Sequence, residues 1–70
     1  MSQRIMFTLN GESYYSPQSM TILDLLTYFN YKESLFVLEL NHLVCNQTAW
    51  DQVRIQNNDK IEIVTIVGGG

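Results

Sequence analysis

The sequence has little of several residue types whose abundance marks large protein classes. Its 70 residues include one cysteine, one proline and one histidine, and four lysine or arginine residues against seven aspartate or glutamate residues. A lone cysteine excludes a disulfide within the chain. So few cations leave no basic stripe for nucleic-acid phosphates. No apolar run reaches the length of a signal-peptide core or a membrane span. We therefore expect a soluble intracellular chain with no nucleic-acid or membrane partner.

What the chain does contain is enough apolar material for one small core. Hydrophobic residues make up 46% of the sequence, and a chain of this size buries only about 60% of its unfolded surface. No linker, repeat or low-complexity stretch interrupts it. The sequence predicts a single domain over residues 1–70, with a flexible glycine tail at 68–70.

The first part of the chain predicts a β-hairpin. Apolar and polar side chains alternate over residues 4–9, which is typical of a strand with one buried face. Asn10 and Gly11 follow, the pair that best suits a two-residue type I′ turn. A turn of that length pairs Phe7 with Tyr14, and the second strand ends at Pro17.

A short helix is predicted next. Thr21 is a suitable N-cap, and Asp24 three residues later completes a short-armed capping box. Asn30 is a suitable stop. The apolar side chains between them recur at helical spacing and form one stripe: Ile22, Leu25, Leu26 and Phe29. Two turns of helix are marginal alone in water, so this stripe must lie across the apolar face of the hairpin.

The second half predicts mostly strands. In order, we expect a strand over 35–40, a turn at Asn41-His42, a short strand over 43–45, a helical turn over 48–51 and a last strand over 61–67. Consecutive strands with one helix on a single face favour the α+β class over a doubly wound sheet.

The chain ends in Gly68-Gly69-Gly70, directly after the last predicted strand. Glycine has no Cβ, so such a tail can enter a channel too narrow for side chains. The ordering of glycine nevertheless costs backbone entropy. One hypothesis is that the Gly70 carboxylate is a functional group presented to another protein's active site. The alternative is a frayed chain end.

The body of the domain also offers a candidate docking surface. If Ile61 and Ile63 face the helix, the side chains between and after them face the other way. Together with an outward residue of the first strand, they form a strip: Met6, Glu62, Val64 and Ile66. An apolar strip on a small domain often marks a partner surface. The alternative is that Val64 and Ile66 pack against a loop.

Other candidate chemistry is weaker. Cys45 could be a redox thiol, but no cation adjoins it in sequence, and a lone strand cysteine is usually a small buried hydrophobe. His42 and Cys45 supply only two of the four ligands that a structural zinc needs. We therefore predict no metal site, and we assign Trp50 to the core or its edge.

Taken together, several motifs resemble the ThiS family, the ubiquitin-like sulfur carriers of thiamine biosynthesis. They are the Asn10 hairpin, the segment 21–26, Leu40-Asn41, Trp50, the turn Asn57-Asn58-Asp59 and the terminal glycines. The resemblance covers nearly the whole chain and implies a β-grasp fold, a mixed sheet of four to five strands packed on one main helix. The family commonly has Asp-Gly-Asp in the turn at 57–59. Because asparagine tolerates positive φ, we expect that turn to survive.

The resemblance also implies a mechanism. An adenylating ThiF-like partner would use ATP and Mg²⁺ to activate Gly70, while the chain itself binds no cofactor. A sulfur donor, such as a cysteine desulfurase, would convert Gly70 to a thiocarboxylate. A ThiG-like thiazole synthase would then accept the sulfur. Gly68 and Gly69 would pass through the narrow channel. The chain would be a monomeric co-substrate rather than an enzyme, in a bacterial-type cytoplasm or a plastid stroma.

Two other function classes stay open at this stage. A MoaD-like carrier of molybdopterin synthesis, or a ubiquitin-like protein modifier, ends in the same Gly-Gly, although the molybdopterin carriers tend to be longer. The other class is a non-covalent ubiquitin-like binding module whose tail is incidental.

Overall fold

The computed structural model describes residues 4–31 and 36–65. Within them lie five strands, one α-helix and one 3₁₀ turn: β1 (Ile5–Leu9), β2 (Glu12–Ser16), α1 (Ile22–Tyr28), β3 (Phe36–Leu40), β4 (Leu43–Val44), the 3₁₀ turn (Gln47–Ala49) and β5 (Asp59–Thr65). The predicted α+β class is confirmed. The last strand begins two residues earlier than predicted, because Asp59 and Lys60 pair with β1. The predicted strand residues 35, 66 and 67 lie outside the described residues.

The five strands form one mixed sheet in the order β2-β1-β5-β3-β4. β1 and β5 run parallel, whereas the other neighbouring pairs are antiparallel. This arrangement is the four- to five-stranded mixed sheet on one helix that the resemblance implied. It places β5, the strand that leads into the glycine tail, at the centre of the sheet. No helix in the described part of the chain is both long and apolar enough to cross a membrane.

The hairpin forms with the predicted turn and register. Asn10 has φ 51° and Gly11 has φ 86°, as a type I′ turn requires at its two central residues. Phe7 pairs with Tyr14 across β1 and β2. Tyr14 is therefore half-buried against the core, as the alternation of side chains predicted.

Both ends of α1 are capped by local hydrogen bonds. The Thr21 hydroxyl accepts from the Asp24 amide at 3.1 Å, and the Thr21 amide donates to Asp24 Oδ2 at 3.0 Å, which completes the predicted capping box. The bonds with the Thr21 backbone and side chain lower the pKa of Asp24. The stabilisation of the fold by ionised Asp24 is therefore fully present above the pKa that Asp24 has in the unfolded chain. It is lost as the pH falls through the lower pKa that Asp24 has in the folded chain. At the other end, Asn30 takes φ 62°, and the Tyr31 amide donates to the Leu26 carbonyl at 2.8 Å, as in a Schellman motif.

The core lies between α1 and one face of the sheet. Its buried members are Phe7, Leu9, Ile22, Leu25, Leu26, Leu38, Trp50, Ile55, Ile61 and Ile63. Trp50 stacks on Phe36 with ring centroids 5.4 Å apart, and its indole N–H donates to the Cys45 carbonyl at 3.0 Å. The assignment of Trp50 to the core is confirmed.

The turn before β5 forms as expected, with asparagine at the position where the resemblance implied glycine. Asn58 occupies the glycine position with φ 73°. The Asn58 amide donates to the Met6 carbonyl at 2.6 Å, and the Asn57 side chain accepts from the Met6 amide at 2.8 Å. The turn is thereby bonded to β1, which offsets the strain of a non-glycine residue at positive φ.

A pair of substitutions at Asn58 measures that strain. Asn58→Ala should lower the free energy of unfolding by about 1 kcal/mol, because alanine tolerates positive φ poorly. Asn58→Gly keeps the backbone geometry without strain and should be neutral or slightly stabilising. Urea denaturation of both variants checks this, and equal destabilisation by alanine and glycine would contradict it.

Candidate functional site

The strand that leads into the glycine tail is held on both sides close to its last described residue. β3 pairs with β5 as far as Phe36 and Thr65. On the other side, the pairing of β5 with β1 ends at Leu9, and Asn10 forms the next hydrogen bonds with β5. The Asn10 amide donates to the Ile61 carbonyl at 2.9 Å, and its side-chain oxygen accepts from the Ile63 amide at 2.8 Å. The last described residues of β5 are therefore held by the sheet and the hairpin turn.

Replacement of Asn10 by glycine should loosen this attachment. Glycine keeps the positive φ of the turn but removes the side-chain oxygen, so the part-buried Ile63 amide loses its acceptor. We expect a loss of about 1–2 kcal/mol in unfolding free energy. Hydrogen exchange at the Ile63 amide should become faster than at Leu38 in the neighbouring strand. Unchanged exchange at Ile63 would show that the Asn10 side chain does not hold β5.

A second asparagine, Asn41, holds the beginning of β5 by hydrogen bonds. Asn41, at φ 54°, accepts from the Lys60 amide at 2.8 Å and donates to Asp59 Oδ1 at 2.9 Å. The buried Asp59 carboxylate also accepts from the Gln56 amide at 2.7 Å. Asn10, Asn41 and the 57–59 turn, which carried much of the resemblance, therefore serve to position β5.

The side chains of β5 divide between two faces as predicted. Ile61 and Ile63 are buried against the helix side, whereas Glu62 is half-buried and Val64 is 53% exposed on the open face of the sheet. Ile66, Gly68, Gly69 and Gly70 lie outside the described residues, so their proposed roles stay predictions.

Glu62 and Val64 have neighbours on the open face that the sequence did not identify. Val64 pairs with Val37, and Glu62 pairs with Glu39, which also pairs with Val44 of β4. Val44 is 62% exposed. We call these five residues the tail-proximal surface. Outward positions in the third strand were visible in its alternation, but only the register of β3 against β5 brings them beside Val64.

Met6, by contrast, lies apart from Val64. The parallel register places Thr8 beside Lys60. Met6 is two positions before Thr8, and Val64 is four positions after Lys60. Six positions along a strand span roughly 20 Å. Met6 instead neighbours Tyr15 of β2. The structure therefore brings Glu62 and Val64 together and places Met6 at the far end of the same face.

The structure also places Cys45 and His42, the residues considered for redox and metal chemistry. Cys45 is half-buried beside the core, and burial raises the pKa of its thiol, which disfavours the reactive thiolate. His42 is exposed in the turn between β3 and β4 with φ 72°. Among residues 4–31 and 36–65, no three His, Cys, Asp or Glu side chains are placed to hold a metal ion.

Comparisons with known proteins agree with this architecture. The model of the ThiS family matches residues 5–70. The chain is 53% identical over 64 residues to the "uncharacterized protein ycf40" of Trieres chinensis, covering 91% of this chain and 88% of that one. It is 32% identical over 66 residues to the sulfur carrier protein ThiS of Bacillus subtilis, covering 93% of this chain and all of that one.

A solved structure shows the same fold. The crystal structure of the thiamine biosynthesis protein ThiS from Geobacter metallireducens matches 94% of this chain and all of its own, with a TM-score of 0.81 and 25% identity. The β-grasp expected from the resemblance is confirmed. Because the family model spans nearly the whole sequence and a relative above 30% identity covers almost all of it, the chain belongs to the ThiS family of ubiquitin-like sulfur carriers.

Proposed function

We propose that the Gly70 carboxylate carries sulfur as a thiocarboxylate and delivers it to the thiazole ring of thiamine. The observation that carries the proposal is membership of the ThiS family, with the family match running to Gly70. The position of β5 supports it, because this strand, which precedes the tail in sequence, lies at the centre of the sheet and is hydrogen-bonded on both sides. A Bacillus relative named as a sulfur carrier points the same way.

The chemistry must begin with activation. A C-terminal carboxyl group has a pKa of about 3.3–3.7, so at neutral pH it is an anion and a poor electrophile. A ThiF-like partner would transfer AMP from ATP to the Gly70 carboxylate and release pyrophosphate, with Mg²⁺ balancing the phosphate charges. The terminal sulfur of a persulfide on a donor such as a cysteine desulfurase would then displace AMP and form an acyl disulfide. A second thiol would cleave that disulfide, releasing the thiocarboxylate and leaving the donor cysteine in a new disulfide. This chain supplies the acyl group, and its partners supply catalysis.

The body and the tail have separate tasks in this proposal. Three extended glycines span roughly 10 Å, enough for Gly70 to enter a buried site while the sheet stays outside. Gly68 acts as the hinge, and Gly69 passes the narrowest part of the channel. The rigid body then sets the direction from which the tail enters.

The tail-proximal surface is the proposed docking site for these partners. Val37 and Val64 form an apolar pair near the end of β5, and Val44 adds a second exposed apolar side chain. A ThiF-like enzyme and a ThiG-like synthase must each receive the same tail, so both would use this surface in turn. A monomer suits such alternation, and a bacterial-type cytoplasm or a plastid stroma is the proposed compartment.

Complementation tests the thiamine assignment. A Bacillus subtilis strain lacking its own ThiS should regain growth without thiamine when it produces this chain, and a chain lacking Gly70 should not restore growth. Activation by the host partner is checked separately by detection of the thiocarboxylate on the purified chain. A thiocarboxylate without growth would contradict the thiazole role and favour another sulfur acceptor, such as a molybdopterin precursor.

A further inference from the structure

The hairpin turn contains the pair Asn10-Gly11, which has a covalent chemistry of its own. Of the six asparagines in the sequence, Asn10 is the one followed by glycine. An asparagine side chain is open to attack at Cγ by the backbone nitrogen of the next residue, and a side chain on that residue hinders the attack. Glycine has no Cβ, so Gly11 presents the least hindered such nitrogen in the chain. Asn10 is therefore the asparagine most prone to lose its amide group.

The surroundings of this pair admit the water that the reaction consumes. Asn10 and Gly11 are both exposed. A Cβ built on Gly11 would meet nothing within 4 Å, so no described side chain crowds Gly11 on that side. Exclusion of water therefore does not protect the pair, and any protection must come from the way in which Asn10 is held.

Two hydrogen bonds hold Asn10 on the side of β1 that faces β5. The Asn10 amide donates to the Ile61 carbonyl at 2.9 Å, and Asn10 Oδ1 accepts from the Ile63 amide at 2.8 Å. In the sheet order, β5 and β2 lie on opposite sides of β1. The bonded side chain therefore points toward β5, whereas the chain turns through Gly11 toward β2. The bond to Ile63 thus restrains Cγ from rotating onto the Gly11 nitrogen.

We propose that Asn10 is a site of intramolecular deamidation that is unreactive while its side chain accepts from the Ile63 amide and reacts when that bond opens. The opening frees the side chain to rotate onto Gly11. Exposed turns open locally at a lower free-energy cost than the whole chain unfolds. The folded chain therefore reacts at a rate that the local opening sets.

The reaction balances with water as its one co-reactant. The Gly11 amide loses its proton to solvent, its nitrogen bonds to Asn10 Cγ, and the Cγ–Nδ2 bond breaks. Nδ2 takes up a proton and leaves as ammonia, which closes a succinimide ring. Water then adds to one of the two ring carbonyls, and the bond from that carbonyl to the nitrogen breaks. One water is consumed for each ammonia released, and a carboxylate replaces the amide.

The two products differ in their effect on β5. Ring opening at Cγ leaves aspartate, whose side-chain oxygen still accepts from the Ile63 amide. Ring opening at the backbone carbonyl leaves isoaspartate, in which the chain runs through Cβ and Cγ and is one methylene longer. The two-residue turn that pairs Leu9 with Glu12 does not accommodate that extra length in the same geometry. Isoaspartate at position 10 should therefore release the turn from β5 permanently.

Peptide mapping of the full chain by mass spectrometry tests the proposal. The chain is incubated at mildly alkaline pH, beside acetyl-Leu-Asn-Gly-Glu-amide as the unprotected reference. The change measured is the mass difference between NH₂ and OH. We expect Asn10 to react ahead of the other five asparagines. Its slowing relative to the peptide should agree within about threefold with the protection of the Ile63 amide from hydrogen exchange, because one opening limits both.

A second amide in β5 serves as the internal control. Successive amides of a strand point to opposite sides, so the Glu62 amide points toward β3, with which Glu62 pairs. Release of the hairpin turn leaves that pairing in place. Protection of Glu62 should therefore exceed that of Ile63.

Two variants and the separated products test the chemistry and its consequence. Gly11→Ala places a Cβ beside the attacking nitrogen and should slow the reaction in the urea-unfolded chain, where the fold has no influence. Asn10→Asp reproduces the aspartate product and should keep the protection of the Ile63 amide. The chain with isoaspartate at position 10 should lose about tenfold of that protection, as expected when one hydrogen bond is lost.

Three results would overturn the proposal. The first is reaction of Asn10 in the folded chain as fast as in the peptide, which would show that the bond to Ile63 does not restrain it. The second is slowing as large as the protection of Glu62, or larger, which would place the reaction in unfolding of the sheet. The third is unchanged protection of Ile63 in the isoaspartate chain. No activating enzyme or sulfur donor enters the test, so its outcome is independent of the sulfur-carrier proposal.

Discussion

Replacement of Gly69 by alanine should slow adenylation of the chain about tenfold or more, equivalent to ~1.4 kcal/mol or more in the activation barrier. The added Cβ would crowd the channel through which the tail reaches the activating site, and it would restrict a backbone that must extend. Steady-state kinetics of AMP–pyrophosphate exchange with a ThiF-like enzyme measures the effect. Thermal unfolding of the variant should match that of the parent chain.

A second glycine provides the control for this prediction. Gly11 has φ 86°, and a Cβ there would meet nothing within 4 Å, so Gly11→Ala introduces backbone strain without a steric contact. It should cost about 1 kcal/mol of stability and leave the adenylation rate of the folded chain unchanged. An unchanged rate with Gly69→Ala would remove the steric argument for the tail.

Replacement of Val64 by aspartate should weaken binding to the activating enzyme by about thirtyfold, as expected when a central interface residue contributes roughly 2 kcal/mol. The new charge would be buried against an apolar partner surface without a counter-ion. Because Val64 is 53% exposed and pairs with Val37, the fold should lose no more than about 1 kcal/mol. Calorimetric titration with the ThiF-like enzyme, together with urea denaturation, measures both.

Ser13→Asp is the matched control for charge. Ser13 is exposed in β2 and pairs with Thr8, and β1 lies between it and β5. The variant adds the same charge away from the tail-proximal surface and should change affinity by less than about threefold. Unfolding of the Val64→Asp variant would instead show that Val64 belongs to the core.

The local elements were predictable because their signals lie in adjacent residues. Asn10-Gly11 determines a turn type through backbone φ, and Thr21 with Asp24 determines the start of a helix through two hydrogen bonds. The alternation in the last strand correctly assigned Ile61 and Ile63 to the core. Each of these inferences depends on chemistry within a few residues.

The site was less predictable because it depends on pairing between distant strands. The parallel register of β1 and β5 separates Met6 from Val64, and the antiparallel register of β3 places Val37 there instead. No local pattern specifies either register.

The mass of the intact chain after activation tests the central claim most directly. The chain would be incubated with a ThiF-like enzyme, ATP, Mg²⁺ and a sulfur donor, beside a control chain that lacks Gly70. We predict a mass gain equal to replacement of one oxygen by sulfur, located in the C-terminal peptide and absent from the control. No gain with an enzyme that activates the Bacillus relative would contradict the sulfur-carrier function and favour a non-covalent binding role.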